Sequence, residues 1–297
     1  MSPRVFIQLF WKAIQSWFGD SASRHGAAIA YYTLFALAPV LIVVIAIAGA
    51  FFGDDAVRGQ IVNQIAALIG HDGAEAIQSI LQRASEPRQG IGPTIFGTIT
   101  LVFATTGAFL EMQAALNKIW RVKTEPGPWL DIKALLARRL KSLGVVVSIG
   151  FLLMVSLAIS AAISAITTWL GNRAGAWPVV VAAITQLVGI AVGTALFAVL
   201  YRVLPDVQLK WRHVIVGALT TSLLFSIGQR LIGLYLGRTA IASPFGAAGT
   251  IAIILLWVYY SAQIVLLGAA FTYQYSIYNF RAPKPMVGAV CDPVAAT

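Results

Sequence analysis

Residues 249–271 read GTIAIILLWVYYSAQIVLLGAAF, a run of 23 residues without a charged side chain. A helix rises 1.5 Å per residue, so about 20 apolar residues cross the ~30 Å hydrocarbon core of a bilayer. The run therefore predicts a transmembrane helix.

Five further runs of the same kind occur along the 297 residues of the chain. Hydrophobic residues make up 59% of the chain and charged residues 11%, whereas soluble domains carry about 25% charged residues. This composition excludes a soluble domain with a large core and predicts an all-α, polytopic membrane protein with a bundle of six transmembrane helices. The predicted spans cover residues 27–52, 91–116, 143–170, 177–200, 214–236 and 249–271.

The positive charges of the chain indicate its orientation. Six spans place both termini on one side of the membrane, and 15 of the 21 Lys and Arg residues fall on that side. Cytoplasmic loops carry such an excess, so we expect both termini to be cytoplasmic. Because the net charge of +10 is spread over several loops rather than gathered in one patch, we expect no nucleic-acid partner.

Three segments outside the spans have their own character. Residues 1–22 predict an amphipathic helix at the membrane interface, with a polar stripe at Arg4, Gln8, Lys12 and Gln15. Residues 53–90 predict an external helical hairpin, which would either cover the membrane surface or act as a gate or oligomer contact. The membrane domain is expected at 23–280, and the tail at 281–297 is expected to be disordered.

Ionisable residues inside the spans are informative because charge at mid-membrane costs about 2.5 kcal/mol or more. Glu111 and Arg230 are the two that fall within the predicted runs. Arg230 lies near a span end, where its long side chain reaches the interface. Glu111 is either a pore-facing carboxylate or a structural partner of a cytoplasmic arginine. The candidates for that arginine are Arg138, Arg139 and Arg202.

The residues give little support to enzyme chemistry. His25, His71 and His213 fall at different loop ends, on both sides of the membrane, so they predict no shared metal site. The single cysteine, Cys291, excludes an internal disulfide and a thiolate cluster. We therefore expect no catalytic residues, no metal and no cofactor, and we interpret the pairs Gly189/Gly193 and Gly233/Gly237 as helix-packing positions.

Two features suggest a polar path inside the bundle. Pro39 leaves the Phe35 carbonyl without its helical donor and predicts a kink in span 1. A second tyrosine pair in the middle of span 6 predicts that span 1 packs beside span 6, with polar side chains facing an interior cavity. The candidate cavity residues are Tyr31, Tyr32, Thr33, Glu111, Gln113, Tyr259, Tyr260, Ser261 and Gln263.

Four stretches, in order and over about residues 24–278, resemble the YihY/BrkB family of bacterial inner-membrane proteins. They are AAIAYYTLFALAPVLIV (27–43), TGAFLEMQAALNKIW (106–120), YRVLPD (201–206) and the segment from Ser243 to Thr272. The resemblance implies a six-helix protein of the inner membrane. Some members carry a virulence label, some a link to lipid or envelope export, and some a ribonuclease BN label that these residues do not support.

The chain departs from the family pattern at two positions. The family often has a glutamate in the last span where this chain has Ala270, and often an aspartate where it has Ala114. Both changes remove a carboxylate, and Glu111 falls at a similar depth. We expect Glu111 to replace the missing carboxylate.

These observations predict a transporter or flippase-like carrier of a lipid or other amphiphilic envelope component, with no ATPase motif of its own. The alternative is a membrane scaffold or envelope-assembly partner, and an enzyme is the weakest of the three. The expected partners are membrane lipids, with a homo-oligomer or an envelope-assembly protein as further possibilities.

Overall fold

A computed structural model of the chain describes residues 3–53, 58–59, 61–62, 78–79, 82, 107–124, 177–238, 247–279, 284–285 and 289–291. The described residues are mainly helical. The helices are α1 (Pro3–Gly19), α2 (Ala22–Phe52), the described part of α3 (107–119), α4 (Trp177–Val203), α5 (Trp211–Arg238) and α6 (Ala247–Asn279). The strands are β1 (Val122–Thr124), β2 (Val207–Gln208), β3 (Lys284–Pro285) and β4 (Ala289–Cys291).

The all-α class is confirmed at this coarse level. The spans predicted at 27–52, 177–200, 214–236 and 249–271 lie within α2, α4, α5 and α6. Within the described residues, three segments are long and apolar enough to cross a membrane: Val180–Val203, Trp211–Ile232 and Ile251–Tyr278. The span at 143–170, residues 91–106 of the span at 91–116 and most of the hairpin at 53–90 lie outside the described residues, so the six-span bundle stays a prediction.

The ends of two helices follow from local sequence. α2 stops at Phe52 because Gly53 takes a left-handed φ of 85° and returns its N–H to the Gly49 carbonyl at 2.8 Å. α4 stops at Val203, two residues before Pro205, because proline disfavours helical conformation in the residue preceding it. α2 is helical through Pro39, and the predicted kink there stays a prediction.

The chain divides into two compact units. One contains Met1–Ser16, Leu116–Ser226 and Leu267–Thr297, and is called the terminal unit below. The other contains Trp17–Ala115 and Ile227–Leu266, and is called the α2 unit.

In the terminal unit, α5 and α6 interlock through two glycine–threonine contacts. Gly217 lies against the Thr272 side chain, and Gly268 lies against the Thr221 side chain, so closely that a Cβ on either glycine would overlap the facing threonine. The order of these contacts shows that the helices run antiparallel. Each threonine hydroxyl donates to the carbonyl four residues earlier on its own helix, Thr221 to Gly217 at 2.8 Å and Thr272 to Gly268 at 2.7 Å.

α4 joins this contact through Tyr201 and Gly193. The Tyr201 side chain is fully buried, and its hydroxyl shares a hydrogen bond of 3.0 Å with the Thr221 hydroxyl. Gly193 faces the Ser222 side chain, whose hydroxyl donates to the Ile190 carbonyl at 3.0 Å. Three helices of the unit are thereby joined by small residues and by hydroxyl groups whose hydrogen bonds stay inside the protein.

The predicted small-residue positions are only partly correct. Gly193 packs as expected, but Gly189 is exposed and has no neighbour within 4 Å of the position of a Cβ. Gly217 and Gly268 make closer contacts than Gly189 and Gly193 do. They were not predicted, because neither has a second glycine four residues away. Side chains around Gly233 and Gly237 lie outside the described set.

α1 packs against α6 within the terminal unit. The rings of Phe6 and Phe10 contact the fully buried ring of Phe271, with centroids 5.2 and 6.2 Å apart. Leu9 and Ala13 are buried, whereas the predicted polar stripe of α1 is exposed. The segment is helical at Pro3–Gly19, and its role as an amphipathic helix at a membrane interface stays a prediction.

A pair of hydrogen bonds connects α3 to the turn after α4. The Asn117 amide donates to the Asp206 carboxylate at 3.0 Å, and the Asp206 backbone N–H donates to the Asn117 carbonyl oxygen at 2.9 Å. Asn117 is buried, so its amide depends on partners inside the protein. The contact brings together two of the family-like stretches found in the sequence.

The tail is not disordered at every position, which corrects the prediction for residues 281–297. β4 pairs antiparallel with β1, and β3 pairs antiparallel with β2. Strand partners more than 75 residues away in sequence supply these hydrogen bonds, so the local composition of the tail could not reveal them.

We predict that Gly217→Ala and Gly268→Ala destabilise the protein, because the added methyl group forces α5 and α6 apart. The free energy of unfolding should fall by about 1–3 kcal/mol relative to Gly189→Ala, the typical cost of overpacking. Thermal unfolding of the purified variants in detergent measures the difference. Gly189→Ala makes the same chemical change in open space, and equal melting temperatures for all three variants would contradict the interlock.

We also predict that Asn117→Ala lowers the free energy of unfolding by about 1–3 kcal/mol, since it leaves the Asp206 groups without these partners. Lys118→Ala changes an exposed side chain next to it and should be nearly neutral. Unfolding of Asn117→Ala, Asp206→Ala and the double variant gives the coupling energy. Strict additivity of the two single effects would show that the pair contributes nothing.

Candidate functional site

All nine predicted cavity residues fall in the α2 unit, and several of them are in contact. One polar contact joins α2 to α3, where Nδ1 of His25 lies 2.7 Å from Oε1 of Glu111. The two side chains are 21% and 27% exposed, so water reaches them only in part. Among the described residues, the partner of Glu111 is therefore a histidine, whereas Arg202 was one of the partners expected from the sequence.

The position of His25 corrects the sequence analysis, which placed it at a loop end. α2 begins at Ala22, five residues before the predicted span, so His25 lies in the first turn of the helix. Arg202, one of the expected partners of Glu111, instead lies over the Trp211 ring at 5.5 Å within the terminal unit. Arg138 and Arg139 lie outside the described residues.

A second contact joins the same faces of α2 and α3. The Tyr32 ring covers Gly107, with ring carbons 2.6–3.1 Å from the position that a Cβ would take. His25 and Tyr32 are seven residues apart on one face of α2, and they contact Glu111 and Gly107 in reversed order. The helices are therefore antiparallel here, as expected of consecutive spans.

α6 approaches α2 at Gly26, the residue after His25. Gln263 lies so close to Gly26 that a Cβ there would overlap its amide nitrogen, and a Tyr259 ring carbon lies 3.5 Å from the same position. The Gln263 amide nitrogen donates to the Ala22 carbonyl at 3.3 Å. α2, whose later part contains the first predicted span, therefore contacts α6, which contains the last predicted span, and packing between the spans themselves stays a prediction.

The Gln263 carbonyl oxygen is buried and has no hydrogen-bond partner. A buried acceptor without a donor costs about 1–3 kcal/mol. The Gln263 amide nitrogen donates to the Ala22 carbonyl, while its oxygen is left as an acceptor without a donor.

The remaining candidates differ in position. Tyr260 lies against Gly228 of α5, with its hydroxyl 3.2 Å from the position of a Cβ, and so faces the protein. Gln113 is buried, whereas Thr33 and Ser261 are partly exposed. Tyr31 is 57% exposed and packs edge-on against Tyr32 and Phe35, so its side chain does not line an interior surface.

Four of the predicted cavity residues therefore contact three residues that the sequence analysis did not predict. The four are Tyr32, Glu111, Tyr259 and Gln263, and the three are His25, Gly26 and Gly107. A histidine one turn before an apolar run was a usable signal, because a helix can begin before its hydropathy rises. Within the described part of the chain, no group of three His, Cys, Asp or Glu side chains is arranged to hold a metal ion.

We predict that cysteines at positions 26 and 263 form a disulfide between α2 and α6. The variant Gly26→Cys/Gln263→Cys, with Cys291→Ser to remove the native thiol, should cross-link under mild oxidation. A protease site inserted between the helices makes the product visible on a denaturing gel. The control Ser23→Cys/Gln263→Cys uses an exposed position of α2, and equal cross-linking of both pairs would contradict the contact.

Comparison with known proteins gives a consistent match along the chain. The sequence profile of the family described as "Virulence factor BrkB" matches residues 13–286. A UPF0761 membrane protein of Stenotrophomonas maltophilia strain K279a is 28% identical over 264 residues, which are 88% of this chain and 59% of the relative. One from Verminephrobacter eiseniae is 29% identical over 260 residues, with 85% and 58% covered.

A UPF0761 membrane protein of Pseudomonas paraeruginosa is 28% identical over 279 residues, which are 90% of this chain and 64% of the relative. This chain thus spans about three fifths of the length of the curated relatives that it matches. No solved structure matches the chain with statistical significance.

Proposed function

The chain belongs to the family of membrane proteins described as "Virulence factor BrkB", and from that premise we propose that it carries a lipid or other amphiphilic envelope component across the membrane. The observation that supports this function is the contact between His25 and Glu111, which joins two helices of an apolar chain. Ionisable groups in such positions are costly and usually serve a pathway or a relay.

The groups around this pair suit an amphiphile with a polar head. Gln263 offers an acceptor without a partner, and the Tyr259 ring lies beside it at Gly26. A headgroup with hydroxyl or ammonium donors would satisfy the Gln263 oxygen, while its chains stay in lipid. The proposal assigns the protein to the inner membrane with cytoplasmic termini, and it assigns no enzymatic reaction and no ATPase activity to the chain.

The second candidate is a membrane scaffold that binds another copy or an envelope-assembly protein. It is favoured by the exposure of Tyr31 and Phe35, which form an aromatic pair on the surface of α2 with ring centroids 5.0 Å apart. Aromatic side chains of this kind are common at protein interfaces. In that case the polar contacts between helices would serve stability alone.

Reconstitution into liposomes tests the first candidate. Fluorescently labelled phospholipid is placed in both leaflets, and a membrane-impermeant quencher is added outside. The rate at which inner-leaflet label moves to the outer leaflet and is quenched there is compared with the rate in empty vesicles. We predict movement above background for the wild-type protein and a rate at least about tenfold lower for Glu111→Gln, which corresponds to about 1.4 kcal/mol in the barrier.

Glu125→Gln is the matched control, because it makes the same chemical change outside the predicted spans. Its rate should equal that of the wild-type protein. Movement at background level in wild-type vesicles, together with a stable co-purifying partner, would favour the scaffold instead. Equal rates for all three proteins would remove Glu111 from the path.

A further inference from the structure

The contact between His25 and Glu111 joins two groups that exchange protons with water. The imidazole can donate from Nδ1 to the Glu111 carboxylate and accept a proton at Nε2. In that step a proton leaves water and a new N–H bond forms, so the pair changes from a net charge of −1 to a neutral ion pair. The reverse step returns the proton to water. A neutral imidazole is the side chain whose charge most readily changes between about pH 5 and 8.

The surroundings of the pair contain few other charges. On α2 the neighbouring cation is Arg24, whose guanidinium donates to the Ser21 hydroxyl at 2.9 Å and lies exposed. On α6, Tyr259 and Gln263 approach the next residue of α2, Gly26, and both are uncharged at neutral pH. On α3, Glu111 itself is the acidic group of the described segment. The carboxylate of Asp20, which precedes α2, is buried in the same unit. Uptake of one proton by the pair changes the charge between α2 and α3 by one unit.

The pair is also connected to the unpartnered acceptor. His25 and Gly26 are consecutive residues in the first turn of α2, yet they face different helices, α3 and α6. A rotation of this turn that separates His25 from Glu111 also moves Gly26 against Gln263, because no space remains between them. Protonation at one contact and hydrogen bonding at the other are thus linked through a single helical turn.

We propose that His25 and Glu111 form a proton-binding site that couples substrate movement to the proton gradient across the membrane. This inference rests on the proposed carrier function and names its coupling ion. One proton binds to the pair in each cycle and is released from it when the first turn of α2 changes its packing against α3 and α6.

Nuclear magnetic resonance tests the proton site without any transport measurement. The chain has three histidines, so protein labelled with ¹⁵N-histidine gives few ring signals, and His71→Gln and His213→Gln assign them. We expect the His25 ring signals to change as the pair takes up a proton on acidification, and Glu111→Gln to change that response. Glu111→Asp, which keeps the carboxylate, should restore part of the wild-type curve.

His71→Gln should leave the His25 curve unchanged. The proposal is overturned if the His25 ring signals do not change on acidification, or if their response to pH is the same in Glu111→Gln as in the wild-type protein. Size-exclusion profiles of the variants confirm that each one is folded.

Liposomes with an imposed proton gradient test the coupling. Wild-type protein should move labelled lipid at least severalfold faster with the gradient than without it, and His25→Gln and Glu111→Gln should lose that difference while His71→Gln keeps it. If the wild-type protein moves lipid at the same rate with and without the gradient, the coupling role is overturned. The carrier function is not affected by that result. Wild-type vesicles that move no lipid in either condition overturn the carrier function and the coupling role, while the resonance experiment still decides whether the pair binds a proton.

Discussion

Close approach of helices at small residues is the constraint on which the described structure depends. Lipid is as apolar as a leucine side chain, so no hydrophobic force draws transmembrane helices together, and van der Waals contact must do so. In the terminal unit, Gly217 and Gly268 let α5 and α6 interlock, and Gly193 brings α4 to α5. In the α2 unit, Gly26 and Gly107 have the same role for α6 and α3.

The side chains opposite these glycines are polar more often than aliphatic, and this choice has a physical reason. A hydroxyl in an apolar bundle needs a hydrogen-bond partner, and a threonine on a helix can use the carbonyl four residues earlier. Thr221 and Thr272 do so, and Thr221 also binds the buried Tyr201 hydroxyl. These three hydroxyl groups therefore find their hydrogen-bond partners within the terminal unit, which suits a packing role.

The α2 unit contrasts with this pattern. In this unit, His25 contacts the Glu111 carboxylate, and the Gln263 oxygen is buried without a hydrogen-bond donor. Both features are costly in an apolar protein, and neither is needed for helix packing, because Gly26 and Gly107 already allow close approach. The contact between two ionisable side chains, His25 and Glu111, is the basis for placing the function at α2.

Part of this arrangement was predictable from the sequence. Span positions follow from hydropathy, and Glu111 stood out because a carboxylate in an apolar run is rare. The pairing with His25 was missed because α2 begins at Ala22, where Arg24 and His25 lower the local hydropathy below that of a span. The order in the tail was missed because β1 and β2 are distant in sequence, and the closest glycine contacts were missed because Gly217 and Gly268 lack a second glycine four residues away.

The sequence by itself determined the class of this protein, its apolar segments and the rarity of its buried charges, because these depend on composition and on the length of runs. Only the tertiary structure decided which side chains meet. The faces on which His25, Gly26 and Tyr32 lie follow from helical geometry, but their partners on α3 and α6 depend on how the helices cross. The way in which two helices cross depends on how small and large side chains that are distant in sequence pack together. No local pattern in a single sequence shows that packing.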